Sequence, residues 1–226
     1  MNFINGDIDL YPVLQVALDL DELVKAVDIA SKIAAITKCE HVWIEAGTPL
    51  IKAWGKLAVK SLKELTKCFL VADTKTMDVP LVEAKIVFDA GADAFTVLGV
   101  ADEDTLKEAL SAKEQYGKTL IVDLIGSKEP YKRALEIAKF EPDIVLFHVG
   151  ISAQRSRGVT GEELVKEAAR VKKELGVKVG VGGGLKPGSI KSIVEHGVDV
   201  VIVGSAITSS KNPETVTAEI LRELGY

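Results

Sequence analysis

The stretch FLVADTKTMD, residues 69–78, opens as an apolar run of the kind that fills a buried strand. It then places Asp73, Lys75 and Asp78 where that strand should be ending. A near-continuous hydrophobic run is the pattern of a parallel strand covered on both faces by helices. Charges at its C-terminal end carry a second meaning, because in α/β barrels that end is where the chemistry sits.

Seven further runs of the same character occur along the chain. They are VLQVALDL from Val13, HVWIEAG from His41, DAFTVLG from Asp93 and TLIVDLIG from Thr119, then DIVLFHVG from Asp143, VKVGVGGG from Val177 and DVVIVGSA from Asp199. Each interval is long enough for a crossover helix, as adjacent parallel strands require. Amphipathic segments fill the gaps: DELVKAVDIASKIAAI puts Leu23, Val27, Ala30 and Ala34 on one face, and GEELVKEAARVKKELG does so with Leu164, Ala168, Val171 and Leu175. Eight βα units predict an α/β fold, a (β/α)8 TIM barrel forming one domain over residues 1–226. A doubly wound open sheet is the alternative, but it carries a glycine-rich turn after its first strand, and ALDLDEL has no glycine.

Hydrophobic residues make up 47% of the 226 and charged residues 27%, with a net charge of −5. That balance predicts a soluble protein and argues against nucleic acid or an anionic membrane surface as partner, while leaving a phosphorylated small molecule open. Cys39 and Cys68 stand far apart in no CxxC arrangement, which predicts neither a disulfide framework nor a zinc site and suits a reducing cytoplasm. MNFINGDIDL lacks the basic and apolar regions of a signal peptide, and no run is long enough to span a membrane.

The polar residues at the strand ends are Asp19, Glu45, Asp73 with Lys75, Asp123 and His148. Taken singly each has an ordinary structural reading. Asp19 and Asp78 suit helix N-caps, His148 a core histidine, and Glu45 a partner for Lys75. Together they would bury several charges at one barrel mouth, which is costly unless a ligand or metal pairs them. A period of two places Asp73 and Lys75 on the same side of the strand. Glu45 and Asp73 offer the hard oxygens that suit magnesium, with manganese as a substitute, and the His/Cys set of zinc is missing. Gly182 to Gly184, and Gly204 with Ser205, follow strands 7 and 8, where barrels commonly bind phosphate. Without side chains, Gly183, Gly184 and Gly204 let backbone N–H groups approach an anion, and KPGSIKSIVEHG then opens a short helix whose N-terminus favours one.

LQVALDL, EAGTPLIK, VADTKTMD, GADAFTVLGVADEDTL, VDLIG, HVGI, VGGGLKP and VIVGSAIT, in this order over nearly the whole chain, resemble the 3-hexulose-6-phosphate synthases. These belong to the orotidine-monophosphate-decarboxylase-like barrels, which share the D-x-K-x-x-D element. The orotidine-monophosphate decarboxylases themselves usually carry lysine where Glu45 stands, although the DVP after Asp78 is closer to their turn. The 3-keto-L-gulonate-6-phosphate decarboxylases typically carry Glu, Arg, Thr and Arg where this chain has Asp123, Ile151, Gly182 and Ser205. Ser152 departs from both branches, which commonly have Asp there, and Arg155 and Arg157 are unusual.

The resemblance implies magnesium-dependent aldol addition of formaldehyde to D-ribulose 5-phosphate, giving D-arabino-hex-3-ulose 6-phosphate, and the reverse. It implies Glu45 and Asp73 on the metal, and Lys75 stabilising the enediolate. His148 is the candidate base, Asp123 and Asp19 orient hydroxyls or relay protons, and Gly184, Gly204 and Ser205 take the phosphate. It further implies a homodimer in which Asp78 enters the neighbouring subunit's site. The alternatives are the sugar-phosphate decarboxylation and a barrel that binds phosphate without catalysis.

Overall fold

The computed structural model describes residues 12–226, so the reading of MNFINGDIDL lies outside the described residues. Eight parallel strands close into a barrel in chain order. They are β1 (Val13–Leu18), β2 (Val42–Ala46), β3 (Phe69–Thr76), β4 (Ala94–Leu98), β5 (Thr119–Asp123), β6 (Ile144–His148), β7 (Lys178–Gly182) and β8 (Val200–Val203). β8 pairs back onto β1 from Val13↔Val200 to Val16↔Val203, which completes the closure. The helices in chain order are α1 (Leu23–Thr37), α2 (Thr48–Trp54), α3 (Lys56–Thr66), α4 (Pro80–Asp89), α5 (Glu103–Tyr116) and α6 (Pro130–Ile137). α7 (Ile151–Arg157), α8 (Val165–Leu175), α9 (Ile190–Glu195), α10 (Ser205–Thr208) and α11 (Pro213–Leu224) follow. Among the described residues, no helix is long and apolar enough to cross a membrane.

Strand alternation divides the core in two. Leu14, Val16, Leu18, Val42, Ile44, Leu70 and Phe95 belong to the large cluster beneath the helices. Val13, Val71, Ala94, Ile121, Ile144, Leu146 and Val200 fill the barrel interior with Trp43 and Phe69, whose rings stack at 4.3 Å. This is why the strands read as continuous apolar runs: both of their faces are covered.

The N-terminal face is built for stability. Asp93, Asp143 and Asp199 each stand directly before an even-numbered strand. They accept the N–H groups of Leu70, Leu120 and Val179 on the odd strand before it. Each carboxylate is also paired with lysine: Asp93 with Lys63 and Lys118, Asp143 with Lys113, Asp199 with Lys172. Three strand pairs are thus pinned by one device.

Between β2 and β3 a covalent link takes over. Cys39 and Cys68 form a disulfide, with Cα atoms 5.2 Å apart, contrary to the expectation of two unpaired thiols. The reason is topological: each cysteine lies just before one of two neighbouring strands, so barrel closure brings together residues that sequence keeps 29 apart. Cysteine usage therefore no longer argues for a reducing compartment. Reduction is expected to lower stability by about 2–4 kcal/mol, because it returns chain entropy to the unfolded state. Denaturant midpoints with and without reductant measure this, and coincident curves would contradict it.

Candidate active site

Strict alternation would by itself aim Asp73 and Lys75 the same way. The structure brings them together by another route. Ala72 faces Phe95 on β4, but Thr76 already faces Val97, so four steps along β3 match two along β4. Within this bulge Lys75 has φ 47°, a left-handed conformation that non-glycine residues enter rarely. Two bonds to Thr96 hold it: the Lys75 N–H donates to Oγ1 at 2.9 Å, and the Thr74 hydroxyl donates to the carbonyl at 2.7 Å. The Lys75 ammonium then lies 2.6 Å from Asp73 Oδ2 and 3.4 Å from Asp123 Oδ2.

Asp19, Glu45 and Asp73 each present a carboxylate oxygen, and these atoms all lie within 4.8 Å of one another. Asp19 thus joins the two carboxylates expected to bind metal. It does not cap α1, whose N-cap is Glu22. It sits instead against Gly47, where any Cβ would overlap the Asp19 carboxylate and the Leu18 carbonyl. Glycine is required there by space alone. Asp73 is held by three side chains: Thr48 donates to Oδ2 at 2.6 Å, Thr96 to Oδ1 at 2.9 Å, and Lys75, on the same strand, to Oδ2. Glu45 accepts from Gln15 Nε2 at 2.6 Å. Burial, then the charges of Asp73 and Asp19, raise the Glu45 pKa well above the ordinary glutamate value. Asp19 is raised for similar causes, desolvation first and Asp73 second.

Lys75 answers this crowd of carboxylates. Burial works against its charge, but Asp73, Asp123 and Glu45 outweigh burial and raise its pKa. One ammonium does not balance Asp19, Glu45, Asp73 and Asp123. Three clustered hard oxygens with excess negative charge fit a divalent cation such as magnesium. Without such a cation the same pocket would repel an anionic substrate.

Asp123 and His148 form the second half of the site. His148 Nδ1 donates to Asp123 Oδ2 at 2.9 Å, and the Ile125 N–H donates to Oδ1 at 2.9 Å. A carboxylate can only accept, so the neutral ring carries its proton on Nδ1 and keeps the Nε2 lone pair free. Burial opposes the charged imidazole, but Asp123 outweighs it and raises the His148 pKa above 6.5. Asp123 is lowered below 3.8, since His148 and Lys75 overcome the effect of burial. His148 is therefore a paired, polarised imidazole and not an isolated core histidine.

Beyond β7 and β8 the backbone supplies donors. The N–H groups of Gly183, Gly184, Gly204 and Ser205 have no acceptor among the described residues. Gly183 has φ 107°, and a Cβ there would overlap the Val149 carbonyl, so glycine is obligatory at this turn. The expected contribution of the following helix is overturned. α9 has only six residues, and the N–H groups of Gly188, Ile190 and Lys191 already donate to the Glu223 carboxylate. Glu223 occupies the end expected to take an anion.

Asp78 stands apart from the cluster. It is exposed, accepts the Val79 N–H at 2.8 Å, and does not cap α4, whose N-cap is Val79. Ile151, Arg155 and Arg157 lie exposed on α7. Sequence reading passed over Gln15, Thr48 and Thr96. Thr48 and Thr96 carry no distinctive signal, because neutral hydroxyls at strand ends are common. Gln15 had one: it is a lone amide in the run VLQVAL.

Residues 12–220 match the profile of the family described as Orotidine 5'-phosphate decarboxylase / HUMPS. The 3-hexulose-6-phosphate synthase of Mycobacterium gastri is 35% identical over 208 residues, covering 92% of this chain and 97% of that protein. The bifunctional enzyme Fae/Hps of Methanoculleus marisnigri is 34% identical over 215 residues, 94% of this chain but 53% of that enzyme. The chain thus spans about half the length of such relatives. Among solved structures, 3-hexulose-6-phosphate synthase from Salmonella typhimurium matches with a TM-score of 0.86 at 32% identity, over 94% of this chain and 98% of that one. A structure of KGPDC from Streptococcus mutans matches with a TM-score of 0.85 at 29% identity, over 95% and 97%. A barrel matched over nearly its whole length, with acidic, lysine and histidine side chains gathered at one mouth, places the chain in a known lineage: it belongs to the orotidine 5'-phosphate decarboxylase / HUMPS family.

Proposed function

We propose that this chain catalyses aldol addition of formaldehyde to D-ribulose 5-phosphate, giving D-arabino-hex-3-ulose 6-phosphate, and the reverse cleavage. The observation that carries the reading is the joint presence of three clustered carboxylates, Lys75 and the Asp123–His148 pair in a chain more than a third identical to a 3-hexulose-6-phosphate synthase. Asp19, Glu45 and Asp73 would hold magnesium or manganese, which when bound supplies Lewis-acid polarisation of the ketose oxygens.

The chain's own groups divide the remaining work. The free N–H groups of Gly183, Gly184, Gly204 and Ser205 hold the phosphate. His148 Nε2 takes the C1 proton, while Asp123 keeps the other ring nitrogen protonated and the ring in place. Lys75 Nζ faces the negative charge that develops as the C1–H bond breaks. The C1 electron pair then forms the bond to the formaldehyde carbon, whose oxygen gains a proton. Formaldehyde needs little binding surface of its own.

A homodimer completes this reading. Val79, Val82 and Ile86 are exposed at helical spacing along the start of α4, and Met77 is exposed beside them. A second copy covering that stripe would bury apolar surface and take Asp78 toward its own site. Asp78→Ala is expected to reduce activity by about 10²-fold while leaving the monomer fold intact. Full activity in that variant, or a monomeric mass by sedimentation for an active protein, would contradict the shared site.

The decarboxylase reading draws on the likeness to KGPDC. It is opposed by Ile151 and Ser205, which leave those two positions without the cations that a carboxylate-bearing substrate would use. Two assays separate the readings. Formaldehyde consumption that depends on ribulose 5-phosphate supports the synthase, and carbon dioxide release from 3-keto-L-gulonate 6-phosphate supports the decarboxylase. Binding of ribulose 5-phosphate with neither reaction would leave only a phosphate-binding barrel.

A further inference from the structure

We infer that Gln15 is a positioning residue of the carboxylate cluster: it fixes the Glu45 carboxylate in the orientation that receives a divalent cation. This rests on the cation reading above. Gln15 lies on β1 inside the barrel and is 1% exposed. An apolar cluster from the same barrel interior, Val13, Val71, Ile144 and Val200 among its members, lies below the charged mouth. A primary amide in such a place is costly unless both of its ends are bonded.

Only one end is. Nε2 donates to Glu45 Oε2 at 2.6 Å, whereas Oε1 is the one buried side-chain polar atom without a partner among the described residues. The amide keeps its donor on Glu45 although its acceptor is left unsatisfied. An apolar side chain of similar length would fill the space without that penalty, so packing does not account for glutamine here. What the amide adds is direction. Its N–H binds Glu45 Oε2 and sets the plane of a carboxylate that clusters with those of Asp19 and Asp73. Partners of this kind orient metal ligands, and their loss typically weakens affinity by about 10–100-fold.

The test is a titration with manganese alone, following the free ion by electron paramagnetic resonance, so that turnover is not the readout. Wild type is compared with Gln15→Met, Glu45→Gln and the double variant. Gln15→Met is expected to raise the manganese Kd by about 10–100-fold. In the Glu45→Gln background the same change should have no further effect, because the anionic ligand that Gln15 would orient toward the cation is already gone. Wild-type affinity in Gln15→Met, or equal losses with and without Glu45, would overturn the inference. Gln15→Leu provides a smaller side chain, and near-ultraviolet circular dichroism checks both folds. Failure of both variants to fold would assign Gln15 to the core and overturn the inference as well. If wild type binds no manganese, or Asp73→Asn binds it equally well, the cation reading falls and takes this one with it. If wild type binds and only the Gln15 effect is missing, the cation reading stands alone.

Discussion

Replacing Lys75 with alanine is expected to slow the reaction by about 10²–10³-fold and to destabilise the fold by roughly 3–5 kcal/mol. Both effects have one origin. The ammonium lies 2.6 Å from Asp73 and 3.4 Å from Asp123, and its charge is favoured by Asp73, Asp123 and Glu45 in spite of burial. Its removal leaves buried carboxylates uncompensated and strips the site of the group that meets developing negative charge. Magnesium should restore part of the lost stability, since it would bind the same carboxylates in the folded state only. It should not restore the rate. Denaturant midpoints with and without magnesium, beside initial rates, measure each part. A variant as stable and as fast as wild type would contradict the account.

The second large effect is expected from Asp123→Asn. His148 acts as a base only when neutral, and Asp123 raises its pKa above 6.5, so the acid limb of kcat/KM should lie above that pH. In the variant, burial becomes the dominant influence and the limb should move to lower pH. The plateau should fall by about 10²-fold or more, because an amide can donate to Nδ1 and present the wrong tautomer. Stability should change in step. A raised histidine contributes stability that is complete below its unfolded value and is lost as pH rises through its folded pKa. A lowered aspartate contributes stability that is complete above its unfolded value and is lost as pH falls through its folded pKa. The pair therefore contributes most between the ordinary values of 3.8 and 6.5. Urea midpoints across that window should show a broad maximum in wild type that flattens in Asp123→Asn. An unmoved acid limb would remove His148 from the role of base.

The eight strands were legible because each is buried on both faces, so its residues are apolar whatever their neighbours do. Every strand begins within one residue of the apolar run that announced it. The polar residues gathered at the barrel mouth were legible for the opposite reason: charges such as Asp73 and His148 interrupt those runs at the ends where barrels place their chemistry. What depends on three-dimensional adjacency was not legible. The Cys39–Cys68 link needs β2 and β3 side by side, and the capture of the α9 amides by Glu223 joins residues from different βα units. Lys75 reaches Asp73 through a bulge that alternation does not foresee, since no glycine marks it. Gln15 gave a signal, a polar residue within an apolar strand, but its partner Glu45 lies on the neighbouring strand.

The most direct measurement is proton exchange at C1 of ribulose 5-phosphate in heavy water, followed by NMR with magnesium present and formaldehyde then added. Magnesium-dependent loss of the C1 proton signal is expected before formaldehyde is supplied, and a six-carbon sugar phosphate afterwards. His148→Ala should suppress both. Bound ribulose 5-phosphate that neither exchanges its C1 proton nor yields a hexulose phosphate would contradict it.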